Sequence, residues 1–285
     1  MESLSLHAFL DRYLREIRHS HRSYWTMLSV INNFRSLVPD KALLALSSPD
    51  LHHYVYSRVH AGIGPGTINR ELGVISAAIN HARYKWGIQL DNPVRYHRVK
   101  PPAERLRWLE RHEAARLQSE ADALCPELGD FIRLSLNTGC RKTELLMLRW
   151  SDVDLGRRFI MLRPENTKTN CRRVVPINKG AEQALNNRRA IGASEWVFAK
   201  KNGERVKTLN WYFRKAVKSA GLSDFRIHDL RHTFASWLVS EGVELIKVRD
   251  LLGHTSIRMT ERYAHLMPNR LHDAVKVLDL FVAEG

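Results

Sequence analysis

Phe225-Arg226-Ile227-His228-Asp229-Leu230-Arg231-His232-Thr233-Phe234-Ala235-Ser236 carries more information than any other run in this 285-residue chain. Residues 228–240 read as a helix, and on it His228 and Arg231, three apart, face the same way. A single H-x-x-R is expected by chance where His and Arg are this common; the longer string is not. Downstream, residues 244–252 form another helical pattern. It ends at Leu251-Leu252-Gly253-His254, where glycine closes the helix and His254 stands exposed just beyond it. A further helix is expected over 256–265. It contains Ser256-Ile257-Arg258-Met259-Thr260-Glu261-Arg262-Tyr263-Ala264-His265. A lone helical tyrosine is usually a half-buried packing residue, so Tyr263 takes its meaning from its company.

Upstream, Asn137-Thr138-Gly139-Cys140-Arg141-Lys142-Thr143-Glu144-Leu145 puts Arg141 just past a glycine turn. The helix start there offers backbone N–H groups that favour an anion. Glu144, three residues on, shares the face and is placed to orient the guanidinium. Residues 159–162 and 172–177 read as short strands around a polar turn that holds Lys168. An ammonium at a hairpin tip is either a solvated lysine or a reach-in proton donor. Helices are also expected over 110–121, 127–137, 181–189 and 209–220. A last one, over 269–282, carries Leu271, Ala274, Val275, Leu278 and Phe281 on one face.

The first hundred residues read as four helices. Phe9, Leu10, Tyr13 and Ile17 mark the first, and Tyr24, Met27, Leu28, Ile31 and Phe34 the second. Ser48-Pro49-Asp50 starts the third, with a capping hydroxyl and an early proline. The fourth runs over 67–86, after Gly62-Ile63-Gly64-Pro65-Gly66. Asn92-Pro93 and Pro101-Pro102 bracket a basic stretch with Arg95, His97, Arg98 and Lys100. It is either a solvated connector or a strap that lies against phosphates. The domain reading is therefore a helical domain over 1–95, a basic linker over 96–106 and a mixed domain over 107–285.

Lys and Arg number 45 against 30 Asp and Glu, a formal charge of +15. A chain this basic repels itself unless it meets a polyanion, nucleic acid foremost. The start has no basic region followed by an apolar run, and no apolar stretch approaches the ~20 residues needed to span a bilayer. No membrane role and a cytoplasmic location are expected. Cys125, Cys140 and Cys171 are too few and too scattered for a disulfide framework or a zinc finger.

Breaking a DNA strand without hydrolysis makes specific demands. Fixed cations must sit on the non-bridging phosphate oxygens, and arginine's fork suits them. The nucleophile must be a protein side chain if the bond energy is to be kept. A tyrosine serves if it is helped to lose its proton, and the leaving 5′ oxygen needs an acid.

Taken in order, these pieces resemble the tyrosine recombinases, or phage integrases, over about 105–285. The match rests on Thr-Gly-x-Arg-x-x-Glu-Leu around Arg141, His-x-Leu-Arg-His-Thr-x-Ala-Ser from His228, Leu-Gly-His ending at His254, and Tyr263 nine residues later. The resemblance implies a mainly α chain with a small β-sheet. A helical SAM-like core-binding domain would precede an α+β catalytic domain. Arg141 and Arg231 would grip the scissile phosphate. Lys168 would protonate the 5′ oxygen, although Lys142 also lies close in sequence. His228 would accept the nucleophile's proton, His254 would hydrogen-bond the phosphate, and Tyr263 would form a 3′-phosphotyrosyl intermediate. No metal or other cofactor is implied, since the arginines neutralise the charge. The implied partners are duplex DNA bearing a specific recombination site, other copies of the chain in a synaptic tetramer, and accessory DNA-bending proteins. The last helix packs on its own domain or docks on a neighbour, and the resemblance favours the neighbour. It also implies a bacterial, archaeal or phage-infected cell, and no separate arm-binding module, since the helical domain begins almost at Met1.

Three rivals remain at this level. His228-Asp229-Leu230-Arg231-His232 mimics the H-E-x-x-H of zinc hydrolases, but the acid is short and no clear third ligand follows. A catalytically dead DNA-binding protein of the same fold would need a broken site, and none is visible. A type IB topoisomerase uses similar chemistry, but the short helical first domain and Leu251 to His254 favour recombination.

Overall fold

Leu6, Phe9, Leu10, Tyr13 and Ile17 recur at three- and four-residue steps and become the buried face of α1 (Leu6–Ile17). α2 (Tyr24–Leu37), α3 (Ser48–His60) and α4 (Pro65–Lys85) pack with it around Phe34, Leu51, Tyr54, Leu72 and Ile75. The structure, a computed structural model, describes residues 4–21, 23–102, 105–166, 172–190, 194–268 and 275. α3 begins one residue earlier than Ser48-Pro49-Asp50 suggests. Its cap is Ser47, whose N–H donates to Asp50 Oδ2 at 2.9 Å. Within this core Glu71 is buried, and it takes Arg58 at 2.5 Å and the Tyr54 hydroxyl at 2.9 Å. Packing continues past α4, because Asn69 brackets Val99 with bonds to its N–H and its carbonyl.

The chain divides into two compact units, Met1–Glu104 and Arg105–Gly285. In the second, α5 (Arg111–Leu124), α6 (Pro126–Thr138) and the short α7 (Lys142–Leu146) lead into a three-stranded antiparallel sheet. Its strands are β1 (Val153–Asp154), β2 (Phe159–Leu162) and β3 (Arg173–Pro176), in that order, with Ile160 opposite Val175. α8 (Lys179–Arg189), α9 (Asn210–Ser219), α10 (Asp229–Ser240), α11 (Leu245–Leu252) and α12 (Arg258–Glu261) follow. The main core runs from Leu109 through Phe131, Leu145, Ile160 and Phe198 to Leu230. A second cluster joins Phe234, Val239, Val248, Leu252 and Tyr263.

The fold is mainly helical, with this small sheet among the described residues. It departs from the sequence reading at 256–265. Instead of one helix there is α12, and then a separate 3-10 turn over Ala264–Leu266. Tyr263 sits at the break, and burying its ring in the second cluster outweighs the local helical pattern. The turn with Lys168 and the expected last helix, Val275 apart, lie outside the described residues. Among the described residues no helix is long and apolar enough to cross a membrane.

Candidate active site

The site is built where α6 stops. Gly139 ends it in the left-handed conformation, φ 61°, and Arg141 caps α7. Arg141's own N–H donates to Glu144 Oε2 at 2.7 Å, and its Nη1 pairs with Oε1 at 2.7 Å. The second of these bonds is the guanidinium contact expected of Glu144, and the first caps the helix. Glu144 is fully buried, and its Oε2 also takes Arg173 Nη2 at 2.7 Å.

Arg231, on the first turn of α10, is only 4% exposed. It donates to the carbonyls of Gly139 at 2.7 Å and Leu252 at 2.6 Å. α11 ends at Gly253, again left-handed at φ 62°, and the next residue, His254, turns its Nδ1 to Thr260 Oγ1 at 2.9 Å. These bonds tie the end of α6, the start of α10 and the end of α11 into one knot.

The proximity has consequences for titration. Burial, then the nearby Arg141 and Arg173, push Arg231 down to about 9, which leaves it a cation at neutral pH. Burial, then Arg231 and Arg141, push His254 down to about 3. His228 is lowered by burial and by Arg231. Arg141, His228, Arg231 and His254 are thus brought together, with both imidazoles neutral at pH 7. Such an arrangement can hold an anion through fixed cations and can offer neutral groups that donate or accept hydrogen bonds.

Tyr263 reaches this cluster through a residue to which the motif reading gave no role. Its hydroxyl lies 2.5 Å from His232 Nδ1, and the ring is 1% exposed. His232 in turn meets the His228 ring edge-on at 5.2 Å. Burial, then His228, push His232 down to about 4, so it is neutral and able to accept the phenolic hydrogen. Lys168 falls outside the described residues. Among the described residues no group of three or more His, Cys, Asp and Glu side chains is arranged to hold a metal.

A family description, the phage integrase family, matches residues 107–270 and so spans all six candidate site residues. The chain belongs to the phage integrase family. The integrase of Salmonella phage P22 is 36% identical over 223 residues, 73% of this chain and 56% of that protein. The chain likewise spans 61% and 59% of two further phage integrases. The tyrosine recombinase XerD of Rhizobium meliloti is 27% identical over 97% of this chain and 95% of its own length. Among solved structures, a lambda integrase tetramer bound to a Holliday junction superposes with a TM-score of 0.76 at 24% identity. That match covers 89% of this chain and 78% of the other. At that identity the likeness speaks for the integrase fold alone.

Two residues of this candidate site were given no part in it by the recombinase motifs. The signal for Arg173 is strand alternation. It falls in step with Val175 and Ile177, and a charge on an apolar face needs a buried partner. His232 lies four residues after His228, on its face, but nothing in the sequence pairs it with Tyr263.

Proposed function

We propose that this integrase-family chain cleaves and rejoins duplex DNA at a specific site through a 3′-phosphotyrosyl link on Tyr263. One observation carries the reading. Three guanidinium groups, from Arg141, Arg173 and Arg231, gather around a single buried carboxylate, Glu144. That surplus of fixed positive charge calls for an anion, and a phosphodiester whose charge grows in the transition state fits it. Arg141 and Arg231 hold the non-bridging oxygens and His254 adds a hydrogen bond. The phenolic proton leaves toward His228, and Lys168 gives a proton to the 5′ oxygen. The free 5′ hydroxyl of a partner strand then attacks the phosphotyrosine, which restores the phosphodiester and the phenol. The arginines supply the charge that a metal would otherwise bring. In this reading residues 1–95 are the DNA-gripping domain, 96–106 the linker and 107–285 the catalytic domain. Four copies assemble on DNA through the segment 269–282, with accessory DNA-bending proteins as further partners, in the cytoplasm. The integrase and recombinase relatives, and lambda integrase's tetramer on a Holliday junction, support it.

A tyrosine that is 1% exposed cannot attack a phosphate in a duplex. The proposed reaction therefore includes an opening of the segment around Tyr263 when DNA seats. The test is a nicked suicide duplex bearing the recombination site. The wild-type protein is expected to form an adduct that survives denaturant. Tyr263→Phe is expected to bind the same DNA and form none. An adduct with the phenylalanine variant removes Tyr263 from the role.

A further inference from the structure

Arg173 lies outside every motif quoted above, yet it sits at the centre of the site's anchorage. On β3, Arg173 and Val175 face inward while Val174 and Pro176 face out. The guanidinium is thereby driven to the core side, with its side chain 8% exposed. Nη2 pairs with Glu144 Oε2 at 2.7 Å and Nη1 donates to the Leu251 carbonyl at 2.9 Å. The stem runs so close to Gly253 that a Cβ there would come within 2.7 Å of Arg173 Cδ. Its Nε–H is buried without a partner. A residue kept for packing alone would not carry that cost, since an apolar side chain of similar volume avoids it.

The end of α11 is where these contacts meet. Three successive carbonyls, Leu251, Leu252 and Gly253, accept from Arg173 at 2.9 Å, Arg231 at 2.6 Å and Arg141 at 3.5 Å. A helix C-terminus leaves its last carbonyls unpaired and partly negative, so it draws the three cations together. Glu144 links two of them from the other side.

We infer that Arg173 is a positioning residue for the phosphate-binding arginines. It locks Glu144 and the end of α11 in one register, so that Arg141, Arg231 and His254 face a single phosphate. The inference rests on the reading of this site as a phosphoryl-transfer centre. Arg173's two terminal nitrogens are held by the Glu144 carboxylate and the Leu251 carbonyl, and the role inferred for it runs through those two neighbours. Its charge reaches them as well, since it is among the cations that lower Arg231 and His254.

The full-length protein and the nicked suicide duplex test this in single-turnover trapping, with DNA affinity measured alongside. Arg173→Gln is expected to bind DNA as the wild type does and to trap about 10²-fold more slowly, the usual cost of a misplaced reacting group. Arg173→Lys is expected to recover part of the loss, because an ammonium still pairs with Glu144 but cannot fork to Leu251. Proton NMR is expected to show His254 titrating higher in Arg173→Gln than in Arg173→Lys, because both variants lose the guanidinium's packing and only the lysine keeps its positive charge. If Arg173→Gln does not fold, Arg173→Lys carries the test. Slower trapping at unchanged affinity supports the inference and wild-type trapping overturns it. A wild-type adduct matched in rate by both variants overturns this inference alone. A wild-type protein that forms no adduct overturns the reading of the site, and this inference with it.

Discussion

Two imidazoles, His232 and His254, stay neutral among positive charges, and that neutrality has a measurable consequence. Burial first, then His228 beside the one and Arg231 beside the other, hold them at about 4 and about 3. In the unfolded chain a histidine titrates near ~6.5. A base whose folded pKa is depressed favours the folded state above its unfolded pKa, and loses that stability as the pH falls toward the folded value. Between about pH 6.5 and about pH 4 the unfolded chain takes protons that the folded site refuses. Stability should fall across that window by up to ~1.4 kcal/mol per pH unit for each refused proton. Urea unfolding at pH 7 and pH 5 reads the slope, and His254→Gln should make it shallower. A stability unchanged between those pH values would show that the site admits the protons. The same neutrality bears on Tyr263. A neutral His232 can hold the phenolic hydrogen, whereas an imidazolium cannot. Yet a base near 4 is far too weak to ionise a phenol near ~10. His232 therefore holds the Tyr263 hydroxyl without ionising it, and in the proposed reaction activation has to come from elsewhere.

α10 is the element on which the site depends, since it carries Arg231 and His232 and follows His228 directly. Its start is fixed by Asp229, a buried first-turn acid that takes the Arg226 N–H at 2.8 Å and Arg105 Nη2 at 2.9 Å. Asp229→Ala should cost about 2 kcal/mol in urea unfolding, as charged hydrogen bonds of this kind do, and should slow trapping. An unchanged unfolding midpoint would move the anchor of α10 elsewhere. Elements of this kind were largely legible in the sequence, because apolar spacing and glycine stops are local signals. The helices over 127–137 and 244–252 end where Gly139 and Gly253 said they would, and the i,i+3 pair of Arg141 and Glu144 forms as its spacing implies. What was not legible depends on partners distant in the chain. The stretch 256–265 breaks because Tyr263's ring is buried with Phe234 and Leu252, and no local propensity encodes that. Arg173 lies on the inward side of its strand because a carboxylate from α7 is waiting there, a pairing across 29 positions. The bond from His232 to Tyr263 likewise spans 31 positions, and only the fold creates it.

At the scale of the whole molecule, the site's few arginines account for little of the +15 charge, and the excess of Lys and Arg is spread over both units. If that charge exists to meet a duplex, its signature is thermodynamic. Each phosphate neutralised releases condensed counterions and steepens the fall of log affinity with log salt by about 0.9. About six such contacts would cost the full-length protein roughly 10³-fold in DNA affinity between ~50 and ~200 mM salt. Each unit has its own core, around Phe34 and Leu72 in one and around Phe131 and Ile160 in the other, so residues 105–285 can be compared with the whole chain. When both units touch phosphates, the shorter chain should show the shallower slope. Tyr263→Phe should leave the full-length slope unchanged, because a phenol contributes no charge to the grip. Equal slopes for the whole chain and for 105–285 would take residues 1–104 off the DNA. A flat response from both would mean that the +15 charge serves something other than phosphate, and the arginines around Glu144 would then need a different anion.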